Sequence, residues 1–190
     1  MFKAKRRMVV TVTAVAAVLL AVALTVTFLT SGKNNAVATN SVQYAAGHRP
    51  LAPAFTGTSL TGSAIKLSSY RGKTVVLNFW GSWCAPCRGE APTLAVLDEQ
   101  YGSKGVAFLG DDVGDTTTNA LAFTHNAGIT YPSINDPGYA VVQAFSQVTP
   151  VSDTPTTVVI DKTGHVAAMV IGSVTYGQMT TLLRDAAVTK

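Results

Sequence analysis

Cys84 and Cys87 are the only cysteines in the 190-residue chain, and they stand either side of Ala85 and Pro86. Thiols at this spacing can close into one disulfide and open again, so the pair reads as a redox device. Other uses fit poorly. A structural disulfide over so short a loop removes little chain entropy. A zinc site needs about four ligands, and His48, His125 and His165 are scattered singly, so no metal is expected. Covalent haem attachment wants a histidine after the second cysteine, and position 88 is Arg.

The elements around the pair make its two thiols unequal. Lys73 to Trp80 is a nearly continuous apolar run of strand formers, as in a central strand covered on both faces. After Cys87, Leu94, Val96, Leu97 and Tyr101 follow a helical pattern that Gly102 closes. Cys84 then sits at the N-terminus of a helix beginning near Ala85. Unpaired N–H groups and the helix dipole stabilise a thiolate there, and such settings lower a thiol pKa from about 8.5 to roughly 3.5–7.5. Cys84 is therefore the expected nucleophile. Cys87, one turn in and shielded, would attack the Cys84 sulfur of a mixed disulfide and release the product. Run backwards, the same steps oxidise a partner, so mechanism leaves direction open.

Further elements follow from pattern. Pro53–Leu67 alternates loosely around glycines and reads as a short hairpin. Val106–Leu109 is a buried strand, and Asp111-Asp112 after it reads as a solvated loop near the site. Asp115 or a following Thr can cap a helix that carries Ala120, Leu121 and Phe123 and ends at Gly128. Ile129–Ile134 is strand-like, and Asp136-Pro137-Gly138 opens a helix with Val141, Val142 and Phe145. Thr156–Asp161 and His165–Ile171 form a hairpin about Lys162-Thr163-Gly164, and Tyr176, Met179, Leu182, Leu183 and Ala186 make the inner face of a last helix. The order predicts an α/β fold: a mixed central sheet, helices on both faces and an N-terminal β-hairpin extension.

The net charge of +4 is concentrated at the N-terminus, where Lys3, Lys5, Arg6 and Arg7 lie. From Thr39 onward nine basic residues face ten acidic ones, a net of −1, so no nucleic-acid partner is indicated. Met8–Gly32 is an uncharged run of 25 residues, long enough to span the roughly 30 Å apolar layer of a membrane. Its flanking charges would keep the N-terminus in the cytoplasm. Length favours an uncleaved anchor, whereas Ala36-Val37-Ala38 favours cleavage after Ala38. The expected organisation is a signal-anchor or signal peptide at 1–32, a linker at 33–49 and one folded domain at 50–190. The domain would be held outside the cell membrane by a single pass, or secreted if cleaved.

Four stretches, in this order and spacing, carry a family likeness: Ala52-Pro53-Ala54-Phe55, Leu67 to Lys73, Val76 to Pro92 and Thr154 to Asp161. Over roughly Pro50–Ala187 the chain resembles the thioredoxin superfamily. Within it, the chain is similar to the TlpA/ResA-like extracytoplasmic thiol-disulfide oxidoreductases, with an AhpC/TSA–Redoxin-type domain. The resemblance implies a thioredoxin-like fold, a redox-active Cys84–Cys87 disulfide and no further cofactor. It makes Pro155 a cis-proline facing the dithiol, with the Thr154 backbone pairing to an extended substrate. Val148–Asp153 is longer than the family pattern, which leaves Pro150 as a weaker cis candidate.

Glu90 acquires a role the same way. Asn78 stands where many thioredoxins have a buried Asp and cannot ionise; Glu90, on the Cys87 face of the helix, would take over proton handling, the alternative being a solvated helix charge. Trp80 and Trp83 read as packing around the motif, with Trp83, beside Cys84, also contacting substrate. The implied partners are exported cysteine-containing proteins, with apocytochrome c as the typical client, and a membrane dithiol that supplies electrons. An oxidative, disulfide-forming role is the alternative. A peroxiredoxin would want Thr where Gly81 or Cys84 stands, and a copper module would want one more residue between the cysteines.

Overall fold

In a computed structural model of the chain, residues 40–187 are described. They comprise β1 (Asn40–Gln43), β2 (Thr56–Thr58), β3 (Ala64–Lys66), β4 (Thr74–Trp80), α1 (Ala85–Tyr101), β5 (Val106–Val113), α2 (Thr117–Ala127), β6 (Ser133–Asp136), α3 (Ala140–Phe145), β7 (Thr156–Ile160), β8 (Val166–Ile171) and α4 (Tyr176–Ala186). Six strands form one sheet in the spatial order β1-β8-β7-β4-β5-β6. β4, β5 and β6 run parallel, joined by α1 and α2 as crossovers, while β4–β7, β7–β8 and β8–β1 are antiparallel. β2 and β3 form the expected hairpin, which a bridge from Ser59 to Ile134 joins to β6.

Every residue of β4 is buried, because its alternating side chains enter two different cores. Val75, Leu77 and Phe79 pack with Phe55 and Ile65 of the hairpin region and with Val141 and Phe145 of α3. Val76, on the other face, packs with Leu94 and Leu97 of α1 and with Met179, Leu182 and Leu183 of α4. Trp80, at the end of that second face, stacks on Phe123 of α2 with ring centroids 4.5 Å apart. Each such side chain contributes about 1.5–3 kcal/mol through burial. The fold is thioredoxin-like, with a mixed sheet and four helices among the described residues.

The helix ends follow the chemistry of their sequences. Thr116 and Thr175 cap α2 and α4 by accepting the N–H groups of Asn119 and Gln178, and Gly128 closes α2 at φ 69°. At α3 the Asp136 carboxylate accepts the Ala140 and Val141 N–H groups at 2.8 and 2.9 Å.

Three segments differ from expectation. Asn40–Gln43, within the expected linker, is β1 and pairs in register with Gln43 opposite Ala168 and Asn40 opposite Ile171. Backbone pairing at a sheet edge needs no apolar run, so composition does not announce it. Nearby, Arg49 reaches Asp161 at 3.0 Å and the Asp185 carbonyl at 2.8 Å, tying this segment to the end of α4. Second, β5 continues through Gly110, Asp111 and Asp112, and both aspartates are fully buried. Parallel pairing with β4 and β6 holds them in the sheet and overrides their loop-like composition. Third, β6 starts only at Ser133.

No helix among the described residues is long and apolar enough to cross a membrane. The apolar run 8–32 and the Ala36-Val37-Ala38 site lie outside the described residues.

Gly110 lies between Asn78 and Ser133 in the row that crosses β4, β5 and β6. A Cβ there would collide with Ser133 Oγ and stand 2.6 Å from Trp80 Nε1. Gly110→Ala should destabilise the domain by about 1–3 kcal/mol through overpacking, measured by urea unfolding against the parent.

Candidate active site

The two cysteines are joined in a disulfide, with Cα atoms 5.3 Å apart. Cys84 is the N-cap of α1, in extended conformation, and its Sγ accepts the Cys87 N–H at 3.2 Å. That N–H is one of the helix's orphan donors and would stabilise a thiolate on the same sulfur. Exposure does not separate the two thiols, at 3% for Cys84 and 1% for Cys87; position at the helix start does.

The turn that presents Cys84 is tied down from several elements. Cys84 N–H donates to Gly81 O at 3.0 Å, and the Ser82 N–H to Asp115 Oδ2 at 2.8 Å. Arg88 Nη1 donates to Ser82 O at 2.7 Å and Ser173 Oγ to Pro86 O at 3.3 Å. Trp83 Nε1 donates to Val113 O at 3.2 Å. Asp115 is held below the usual carboxylate range by the donors it collects, Ser82 foremost, against the cost of its partial burial. Neither Asp115 nor Ser173 is legible as a site residue, since nothing in local spacing links either to the cysteines.

Thr154–Pro155 is the one cis peptide bond among the described residues; Pro150 is not in one. Thr154 O lies 3.5 Å from Cys84 Sγ, so the segment before β7 faces the dithiol. The Thr154 N–H is already taken by Asp153 Oδ1 at 2.7 Å. A strand added here would find the Thr154 carbonyl first and would need Asp153 to move before using the N–H.

Glu90 is 2% exposed, which excludes a solvated helix charge. Asn78 Nδ2 donates to its Oε1 at 2.9 Å and the Val174 N–H to its Oε2 at 2.9 Å. Asn78 donates also to Thr157 Oγ1 at 3.0 Å, so its amide group serves as a bracket for the carboxyl. Burial pushes Glu90 up to about 7, outweighing the two donors, Val174 and Asn78, that favour the charged form. Tyr131 is buried nearby with its hydroxyl unpartnered; burial first, then the charges of Glu90 and Asp98, push it upward and keep it neutral.

The two tryptophans diverge. Trp80 is core, 1% exposed against Phe123, whereas Trp83 is 55% exposed beside Cys84. No group of three or more His, Cys, Asp or Glu side chains among the described residues could hold a metal ion.

Residues 49–169 match the AhpC/TSA family. The chain belongs to this family. It is similar to the thiol-disulfide oxidoreductase ResA of Geobacillus kaustophilus, 40% identical over 124 residues that cover 65% of this chain and 69% of that protein. Among solved structures, a secreted thiol-disulfide isomerase from Corynebacterium glutamicum superposes with TM-score 0.73 at 31% identity, over 82% of this chain and 96% of that one. A DsbF homologue from Corynebacterium diphtheriae gives TM-score 0.70 at 34% identity, over 80% and 96%. This AhpC/TSA-family chain is a thiol-disulfide oxidoreductase.

Glu90 gives the site a pH signature. Its folded pKa of about 7 lies above the unfolded 4.5, so folding favours the neutral form. The contribution is intact below about pH 4.5, is lost as pH rises toward 7, and then stays lost, roughly 3 kcal/mol in all. In urea unfolding of the oxidised protein, the stability of wild type minus that of Glu90→Gln should fall by that amount between pH 4 and pH 8. A difference that does not change with pH would contradict the shift.

Proposed function

We propose that Cys84 and Cys87 are the redox dithiol of this oxidoreductase, and that it reduces disulfides of exported proteins on the outer side of the cell membrane. The carrying observation is the placement of Cys84: N-cap of α1, its sulfur accepting the Cys87 N–H, beside the carbonyl that precedes cis-Pro155.

In the reductive direction the Cys84 thiolate attacks one sulfur of a client disulfide. That bond breaks, the second client sulfur leaves with the electron pair and takes a proton, and a Cys84–client mixed disulfide remains. Cys87 loses its proton and attacks Cys84 Sγ, which releases the first client sulfur as thiolate. The client has gained two electrons and the protein is left as its Cys84–Cys87 disulfide. A membrane dithiol then restores the thiols, since the outer compartment is itself oxidising. Glu90, one helical turn beyond Cys87 and titrating near neutrality, handles the proton of Cys87. Trp83 and the Thr154–Pro155 backbone hold the client beside Cys84.

Residues 1–32 act as signal-anchor, with the oxidoreductase domain held outside; cleavage after Ala38 would release it. The likeness to a thiol-disulfide oxidoreductase supports disulfide exchange; the reductive direction, with apocytochrome c as the kind of client, follows from the TlpA/ResA-like resemblance of the sequence. Likeness to a secreted isomerase favours disulfide exchange on varied exported proteins as the second reading.

Cys87→Ser expressed in intact cells should accumulate mixed disulfides through Cys84, while Cys84→Ser and the double variant accumulate none. Apocytochrome c among the captured proteins supports reduction, and a broad set of secreted proteins supports the second reading. Absence of any adduct would sink the dithiol assignment. Glu90→Gln should slow resolution of the mixed disulfide about 100-fold at pH 7, at the low end of the range for a lost general base, without changing its formation.

A further inference from the structure

Two exposed aromatic side chains meet on one peptide unit beside the disulfide. Trp83, which directly precedes Cys84, donates Nε1–H to Val113 O at 3.2 Å. Tyr139 lays its hydroxyl over Gly114, the next residue, where any Cβ would collide with Oη. The rings remain 55% and 44% exposed. Both polar atoms are thus turned in against the backbone at the end of β5, and apolar ring surface is left facing out.

Tyr139 is held there against local preference. It is the one non-glycine residue with positive φ among the described residues, at φ 58° and ψ 29°. Left-handed backbone is unfavourable for a residue with a Cβ. A glycine stands one position earlier, at 138, where φ is not positive. Stability alone would put the glycine at 139. The turn is fixed from beneath: the Tyr139 and Gly114 N–H groups both donate to Asp136 O, at 3.2 and 3.3 Å, and the Asp136 carboxylate takes the first N–H groups of α3. Strain held by surrounding bonds at an exposed ring is a mark of function.

We infer that Tyr139 determines specificity in the exchange reaction: with Trp83 it forms an aromatic platform for an apolar or aromatic client side chain near the reacting cysteine. The occupant is an extended polypeptide segment. Its cysteine sulfur sits on Cys84, its backbone lies along the Thr154 carbonyl, and successive residues advance about 3.3 Å, so a side chain close to the cysteine reaches the rings. This rests on Cys84 being the attacking thiol.

The test uses the reduced protein and three disulfides: hydroxyethyl disulfide, a glutathione-capped cysteine peptide flanked by Phe, and the same peptide flanked by Ser. Tyr139→Gly removes the ring and supplies a residue that accepts the left-handed backbone. It should lower kcat/KM for the Phe peptide about tenfold, in the range of a lost aromatic anchor. It should leave the Ser peptide and hydroxyethyl disulfide within about twofold, and leave the melting temperature equal to or above the parent's. Tyr139→Asn, whose side chain tolerates the same backbone, should behave alike. Equal loss on all three disulfides, or none on the Phe peptide, overturns the inference. A wild type inert toward hydroxyethyl disulfide overturns the dithiol reading and this inference with it.

Discussion

A carboxyl group buried under the disulfide sets the terms for the rest of the site. Glu90 reaches Asn78 on β4 and the Val174 N–H just before α4, so one side chain of α1 joins the central strand to the entry of the last helix. Burying an ion without a counter-charge is costly, and two neutral donors offset only part of that cost. No basic side chain is paired with Glu90; the only ion pairs among the described residues are Arg49–Asp161 and Arg184–Asp185. The result is a carboxyl that titrates near neutrality. An apolar residue of similar size would avoid the penalty; on the proposed reading, proton handling is what the buried carboxyl provides in return.

The same economy recurs at the end of β5. Asp111 and Asp112 point to opposite faces of the sheet, both fully buried, with no donor within reach of either carboxyl. Asp111 is pushed well up, first by burial and then by the charges of Asp136 and Asp112. Asp136 already collects two N–H groups of α3. Burial without a donor therefore favours the protonated form of Asp111. Asp112, on the face of α1 and α2, is raised to about 7 by burial and by the charges of Asp115 and Asp136. The strand that supports Trp83 and Tyr139 is therefore built from carboxyls whose neutral forms are favoured by burial.

Much of this was legible in the sequence, and the exceptions share a cause. The apolar run of β4, the helix after Cys87 and the hairpin about Gly164 follow from periodicity and turn chemistry, which are local. The thioredoxin-like arrangement follows from element order. What escaped depends on partners far along the chain. Glu90 could be placed one turn after Cys87, but its burial depends on Val174, whose sequence neighbourhood gives no sign of it. Asp111 and Asp112 read as loop because Gly-Asp-Asp favours turns, and only pairing with β6 shows otherwise. β1 lies in a polar stretch whose role is carried by backbone bonds alone. Tyr139 gives no signal at all, because the neighbouring glycine draws the expected turn to itself.

A carboxyl that titrates near neutrality beside a dithiol bears on how the proposed reaction would run. Asn78 cannot exchange a proton, and its amide hydrogens are engaged by Glu90 and Thr157. On the proposed reading the proton of Cys87 passes to Glu90, which is about half ionised near pH 7. An ordinary carboxylate would be charged there but a weak base toward a thiol near 8.5; raising its pKa narrows that gap and eases proton transfer in both directions. A carboxyl tuned this way lowers the barrier equally for reduction and oxidation. It follows that the site's own chemistry does not choose a direction. On the proposed reading the potential of the partner dithiol does.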